Sequence, residues 1–125
     1  MTDKKILIVE DDKDFSLILQ KKFTLEGFSI VTAENGEEAI DIAEKEKPDL
    51  IISDVLMPKM DGITMANKIR ETDKNVPIMF LTNLGGDDNS VEKPKGFDYL
   101  IKSELRIDDI VTKSKIKLGL IQDSL

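Results

Sequence analysis

The 125-residue sequence contains no cysteine and no histidine. Without cysteine the chain has no disulfide and no thiolate ligand for a metal, which fits a protein of the cytoplasm. Without histidine it lacks the commonest general base and the Ser-His or Cys-His pairs that activate nucleophiles. Any chemistry that the chain performs must therefore use carboxylates, lysines and hydroxyl groups.

The sequence also lacks a long apolar run and an excess of positive charge. No stretch approaches the roughly 20 apolar residues that a membrane-spanning helix needs, and the amino terminus leads into a strand-like run without a signal-peptide pattern. The net charge of −7 offers no general attraction to nucleic acid or anionic membranes. We therefore expect a cytoplasmic protein that binds neither membranes nor, through this domain, nucleic acid.

The apolar residues that are present form alternating strand-like and helix-like patterns along one domain, residues 1–125. Short apolar runs that end at turn or acidic residues are typical of strands buried on both faces of a parallel sheet. Five runs are predicted as strands: Lys5–Glu10, Phe28–Ala33, Asp49–Asp54, Val76–Thr82 and Tyr99–Ile101. The helical patterns between them predict an α/β fold, a doubly wound parallel sheet with helices on both faces.

The first and last helical patterns place apolar residues on one face. The first follows Asp12, and its apolar face contains Phe15, Ile18, Leu19 and Phe23. The last runs from Leu105 to about Ile121, and its predicted buried residues are Ile107, Ile110, Val111, Leu118 and Ile121.

Four of the predicted strand ends present chemically useful side chains. The acids Glu10–Asp12 follow the first strand, Asp54 ends the third, Thr82 ends the fourth and Lys102 follows the fifth. Each alone has an ordinary structural explanation, such as a helix cap, a strand end or a solvated lysine. Open parallel sheets bind ligands at the carboxyl ends of their strands, so the coincidence of all four predicts one shared site.

The residue types in this predicted site point to phosphoryl transfer. Three carboxylates at close range repel one another unless a cation lies among them, and hard oxygen ligands with room for water suit Mg²⁺. Lys102 offers a positive charge to one phosphate oxygen and the Thr82 hydroxyl offers a hydrogen bond to another. With Asp54 as nucleophile, the product is an aspartyl phosphate.

These residues also have the order found in a known family. Asp11-Asp12, Asp54, Met57-Pro58, Asp61-Gly62, Thr82, Tyr99 and Lys102 together are highly specific, although each one alone is weak. Over essentially its whole length the chain resembles the receiver domain of two-component response regulators. The resemblance implies a flavodoxin-like, CheY-like sheet of five parallel strands in the order 2-1-3-4-5.

The resemblance also implies roles for the acidic residues. Asp54 would be the phosphoacceptor. Asp11, Asp12 and Asp54 would hold Mg²⁺, directly or through water, with help from the backbone carbonyl of Leu56.

A conformational switch is the second implication of the resemblance. Lys102 would pair with the phosphoryl group, Thr82 would move towards it, and Tyr99 would change rotamer. The resemblance implies that the donor is a sensor histidine kinase or a histidine phosphotransfer protein. This chain has no histidine, so it cannot itself be that donor. The downstream partner is not indicated by the sequence.

Two features depart from the family pattern. Ser103 follows Lys102 where the family commonly has proline, so we expect a trans peptide bond there, a rearranged loop, and Ser103 as a cap of the last helix. Between Gly85 and Gly96 the sequence has few apolar residues and includes Pro94, which predicts a short or irregular fourth helix.

We expect the receiver to act as a switch and not as a turnover enzyme. Two other functions are compatible with parts of the sequence. A phosphatase of the haloacid-dehalogenase type places a second acid two residues after the nucleophile, where this chain has Leu56, and the chain has no room for a cap domain. A phosphate-independent interaction module would be expected to lose one or more site residues, and none is lost. The sequence fits equally a stand-alone regulator and a part of a longer one.

Overall fold

The sheet is five-stranded and parallel, with the strand order β2-β1-β3-β4-β5. The computed structural model describes residues 2–82 and 96–122. Its strands are β1 Lys5–Val9, β2 Ser29–Ala33, β3 Leu50–Asp54, β4 Ile78–Thr82 and β5 Asp98–Ile101. The fold class and strand order predicted from the sequence are confirmed, and each strand lies within its predicted run or extends it by one residue.

The helices of the described residues lie between and after the strands. They are α1 Lys13–Leu25, α2 Gly36–Glu46, α3 Gly62–Thr72, a 3₁₀ helix Lys102–Glu104, and α4 Ile107–Lys117. The predicted short or irregular fourth helix falls outside the described residues, so α4 is the last helix of the sequence prediction. Within residues 2–82 and 96–122, no helix has the length and apolar character needed to cross a membrane.

The core lies on both faces of the sheet, because successive residues of a strand point to opposite sides. One buried cluster joins the sheet to α2 and α3 and includes Leu7, Val9, Ala39, Met65 and Ile69. The opposite cluster joins the sheet to α1 and α4 and includes Ile6, Ile8, Leu19, Phe23, Ile110 and Val111. Ile18 was predicted to share the apolar face of α1, but its side chain is 51% exposed. It faces away from the sheet.

The last helix is shorter than the sequence predicted. Lys102–Glu104 form the 3₁₀ helix, and α4 begins only at Ile107. The preceding residue, Arg106, donates its backbone N–H to the Asp109 carboxylate over 2.9 Å. At the other end Gly119 has φ +72°, a conformation typical of the residue that terminates a helix. Ile121 therefore lies beyond α4 and is 42% exposed, so its predicted burial is wrong.

The loop after β5 bears out one prediction about Ser103 and contradicts another. No peptide bond within residues 2–82 and 96–122 is cis, which confirms the trans bond between Lys102 and Ser103. Ser103 is not the cap of α4, because it lies inside the 3₁₀ helix and Arg106 occupies the capping position. The extended backbone of Leu105 and Arg106 separates the two helices.

Gly62, the first residue of α3, packs directly against the strand end that holds Asp54. The Gly62 N–H donates to the carbonyl oxygen of Val55 over 2.7 Å. A Cβ added to Gly62 would overlap the carbonyl oxygen of Asp54 and lie 2.9 Å from Cε1 of Phe80. Only glycine allows α3 to begin this close to the end of β3.

We predict that Gly62→Ala lowers the free energy of unfolding by about 3 kcal/mol, because the added methyl group meets backbone that cannot move aside. Urea unfolding measures the change. Gly36→Ala is a matched control, since Gly36 begins α2 and its added Cβ would contact Met60 at 3.1 Å. The control should cost much less, and equal losses in the two variants would contradict the prediction.

Candidate functional site

Lys102 connects two of the acidic strand ends. Its ammonium nitrogen lies 3.0 Å from Oε1 of Glu10 and 3.1 Å from Oδ2 of Asp54. The side chain of Lys102 is only 11% exposed. Because β1, β3, β4 and β5 are consecutive in the sheet, their carboxyl ends meet at one edge, and the structure brings these three charged groups together there.

Glu10, Asp11 and Asp54 form a cluster of acids, with one carboxylate oxygen of each lying within 4.8 Å of the others. Glu10 is 4% exposed and Asp54 is 9% exposed, whereas Asp11 lies on the surface. Oδ1 of Asp54 accepts the backbone N–H of Val55 over 2.8 Å. Carboxylate oxygens grouped on one side and open to water on the other fit the ligand preferences of Mg²⁺.

Asp12 lies outside this cluster, although the sequence suggested it as a metal ligand. It is the N-cap of α1, and its Oδ1 accepts the backbone N–H groups of Asp14 and Phe15 over 3.0 and 3.2 Å. A carboxylate at this position satisfies two of the unpaired N–H groups that every helix has at its start. Glu10 takes the place in the acid cluster that was predicted for Asp12.

Glu10 was noted in the sequence as one of three consecutive acids but was not assigned a role. Its backbone N–H donates to the carbonyl of Ala33 in β2 over 3.1 Å, so Glu10 still belongs to the edge of the sheet. The available signal was position: Glu10 directly follows the last apolar residue of β1, and Asp12 directly precedes a helical pattern. Aspartate is a preferred N-cap residue, so the third acid was the better candidate for a cap.

Burial and charge shift the pKa values of Glu10 and Lys102. Burial raises the pKa of Glu10 from 4.5 to about 7, and the hydrogen bond from Lys102 only partly opposes the shift. For Lys102, burial opposes the charged form, but the hydrogen bonds and charges of Glu10 and Asp54 outweigh it and raise the pKa. The lysine therefore stays charged, while Glu10 gains its charge near neutral pH.

This shift predicts the pH dependence of stability without metal. Between pH 4.5 and about 7 the folded chain retains a proton on Glu10 that the unfolded chain has lost. The free energy of unfolding should therefore fall as the pH rises through this range. Urea unfolding in a chelator at several pH values measures the slope. Glu10→Gln should remove most of it, and an unchanged slope in that variant would assign the effect to other groups.

The other predicted site residues occupy three different environments. Thr82 is the last residue of β4, is 3% exposed, and pairs in register with Ile101, the residue before the site lysine. Tyr99 lies within β5, and its half-buried ring stacks on Phe80 with centroids 5.4 Å apart. Burial raises the pKa of Tyr99. Leu56, two residues after β3 in sequence, has a side chain that is 58% exposed.

Comparison with curated proteins identifies similar regulators. The chain is 40% identical over 111 residues to the alkaline phosphatase synthesis transcriptional regulatory protein PhoP of Bacillus subtilis, covering 89% of this chain and 42% of that protein. It is 38% identical over 85 residues to sporulation initiation phosphotransferase F of the same organism, covering 68% of each. The chain also matches several proteins described as the probable transcriptional regulator ycf27, and it spans about half of the length of each.

Comparison with solved structures gives the same result. The receiver domain of the Francisella response regulator 1452 has a TM-score of 0.84 and 30% identity, covering 94% of this chain and 98% of that one. The response regulator TrrA of Thermotoga maritima, solved in complex with Mg(2+)-BeF, has a TM-score of 0.81 and 32% identity, covering 91% and 98%. The family profile described as the response regulator receiver domain matches residues 6–115. The chain therefore belongs to the family of response regulator receiver domains.

Proposed function

We propose that Asp54 of this receiver domain accepts a phosphoryl group from a phosphohistidine donor. The observation that supports this most directly is the ammonium of Lys102, which lies 3.1 Å from Oδ2 of Asp54 at the edge of the acid cluster. In the transfer, an oxygen of Asp54 forms a bond to phosphorus while the donor's phosphorus–nitrogen bond breaks, and the imidazole leaves with the electron pair. A phosphoacceptor role is consistent with the family.

The acid cluster is the proposed Mg²⁺ site. Receiver domains bind Mg²⁺ at an acidic pocket, and here Glu10, Asp11 and Asp54 would hold it together with the backbone carbonyl of Leu56. The bound ion would neutralise negative charge on the phosphoryl oxygens. Asp12, in this proposal, stabilises α1 and does not bind the ion, because its carboxylate caps the helix.

Lys102, Thr82 and Tyr99 would convert phosphorylation into a conformational change. Lys102 would contact one phosphoryl oxygen and the hydroxyl of Thr82 another, so the added group favours the conformation in which both can reach it. Thr82 is the last residue of β4 and lies in register with Ile101, which directly precedes Lys102. Tyr99 would then change rotamer, as a ring that is only half buried is able to do.

We further propose that the domain is a switch and not a hydrolytic enzyme. The family is generally not one of turnover enzymes. Leu56 stands where a phosphatase of the haloacid-dehalogenase type would place its second acid, and its exposed side chain activates no water. The proposed donor is a sensor histidine kinase or a histidine phosphotransfer protein, the partners with which receiver domains interact.

The phosphoacceptor is tested by intact mass after incubation with phosphoramidate and Mg²⁺. We expect the wild-type chain to gain the mass of one phosphoryl group and Asp54→Asn to gain none, because the amide removes the nucleophilic oxygen. Asp61→Asn is the matched control, since Asp61 caps α3 nearby and asparagine caps a helix equally well. Labelling of Asp54→Asn to the wild-type level would disprove the assignment. Steady release of phosphate by the wild type would favour a phosphatase.

The metal ligands are tested by calorimetric titration with Mg²⁺. We predict that Asp11→Asn weakens binding by at least about tenfold, whereas Asp12→Asn binds almost as tightly as the wild type. Asp12→Ala should instead lose about 1 kcal/mol of stability, because alanine does not cap α1. If Asp12→Asn weakens Mg²⁺ binding as much as Asp11→Asn does, Asp12 is a ligand after all.

A further inference from the structure

Lys102 has a third close neighbour, the aromatic ring of Phe15. The ammonium nitrogen lies 4.4 Å from the centroid of the ring, well inside the range of about 6 Å over which a cation is attracted to an aromatic face. Both side chains are largely shielded, since Phe15 is half buried and Lys102 is 11% exposed. Loss of water around the ammonium strengthens such an attraction.

The ring is held in place by α1. The Phe15 N–H donates to the capping carboxylate of Asp12 over 3.2 Å, which fixes the first turn of the helix. The Phe15 side chain packs against the buried cluster formed by the sheet, α1 and α4. Farther along, Glu26 after α1 pairs with Lys115 of α4 over 2.6 Å, which fixes the helix relative to its neighbour. The ring is therefore presented to Lys102 by a capped helix that packs against the core.

The ring differs from the other two partners of Lys102 in one respect. Glu10 and Asp54 both belong to the acid cluster. The carboxylates that pair with the ammonium are therefore ones that a divalent cation would also bind. An aromatic ring is not a ligand for Mg²⁺, which takes oxygen donors. The ring also accepts no conventional hydrogen bond, so the N–H of Lys102 that Glu10 and Asp54 do not accept can donate to an incoming phosphoryl oxygen.

We infer that Phe15 is a positioning residue, whose ring face holds the ammonium of Lys102 where the phosphoryl group arrives. The inference rests on the proposed function of Asp54 for its consequence, but the contact between the two side chains exists without it. It assigns to α1 a part in the reaction beyond packing, and it makes the Asp12 cap important for the geometry of the site.

The first test replaces Phe15 by a series of phenylalanines with one, two and three ring fluorines. Fluorine withdraws electron density from the face of the ring and leaves its size nearly unchanged. If Phe15 acted only through packing, the phosphorylation rate would show no trend with fluorination. We expect the initial rate of phosphorylation by phosphoramidate and Mg²⁺ to fall steadily, by about three- to tenfold across the series. A rate that does not vary with fluorination would overturn the inference.

Two controls identify the cation as the cause. The same series at Phe23 should give no trend in the phosphorylation rate. That ring is buried on the same helix, and it contacts Phe28 edge to face with the ring centroids 5.6 Å apart. In a Lys102→Met background, fluorination of Phe15 should no longer alter any residual rate. An equal trend at Phe23, or a trend that persists without Lys102, would show that the ring acts through packing.

The second test needs no phosphorylation. A double-mutant cycle combines Phe15→Leu with Lys102→Met in the metal-free chain, with urea unfolding as the measurement. We expect the two substitutions to be coupled by about two- to thirtyfold in the unfolding equilibrium constant. Additive effects would overturn the inference. If the wild type takes up no phosphoryl group, the proposed function fails, and the cycle still decides whether Phe15 holds Lys102.

Discussion

The contact of one buried ammonium with two carboxylates is the constraint on which the rest of the site depends. Lys102 bridges Glu10 and Asp54 in a largely buried position, and Asp11 adds a third acid at the surface. Buried charges are costly unless they are paired, and here three acids face one cation. When all four groups are ionised, two negative charges remain without a partner. A divalent cation would balance that charge, so the electrostatics of the site support the proposal of Mg²⁺ as its ligand type does.

The backbone delivers these charges with little local specialisation. Strands β1, β3, β4 and β5 are consecutive in the sheet, and each ends at the same edge. Buried apolar residues fill both faces up to the point where the charged groups begin. Gly62 is the exception, since it allows α3 to begin against the carbonyl of Asp54. The fold thus supports the backbone of Asp54 and leaves its carboxylate at the carboxyl edge of the sheet.

The sequence predicted the sheet well because the central strands β1, β3 and β4 are short and largely apolar runs that end at turn or acidic residues. It predicted the meeting of Asp54 with Lys102 for the same reason, since parallel strands end at one edge. To decide whether Glu10 or Asp12 joins the acid cluster, the first residue of α1 had to be known to within one position. Helix boundaries depend on capping contacts, which the periodicity of apolar residues does not encode. Phe15 was predicted only as part of an apolar face. Its second role depends on Lys102, which is distant in sequence and near only in the folded chain.

The packing beneath the site also suggests how Tyr99 is linked to Asp54. Phe80 lies against Gly62, whose backbone touches that of Asp54, and the same ring stacks on Tyr99. Phe97 meets Phe80 edge-on at 5.5 Å, so the central ring is surrounded. Close-packed rings shift between discrete arrangements more readily than they deform. A change in the backbone around Asp54 would therefore reach Tyr99 through Gly62 and Phe80, a route consistent with the proposed rotamer change of that half-buried ring.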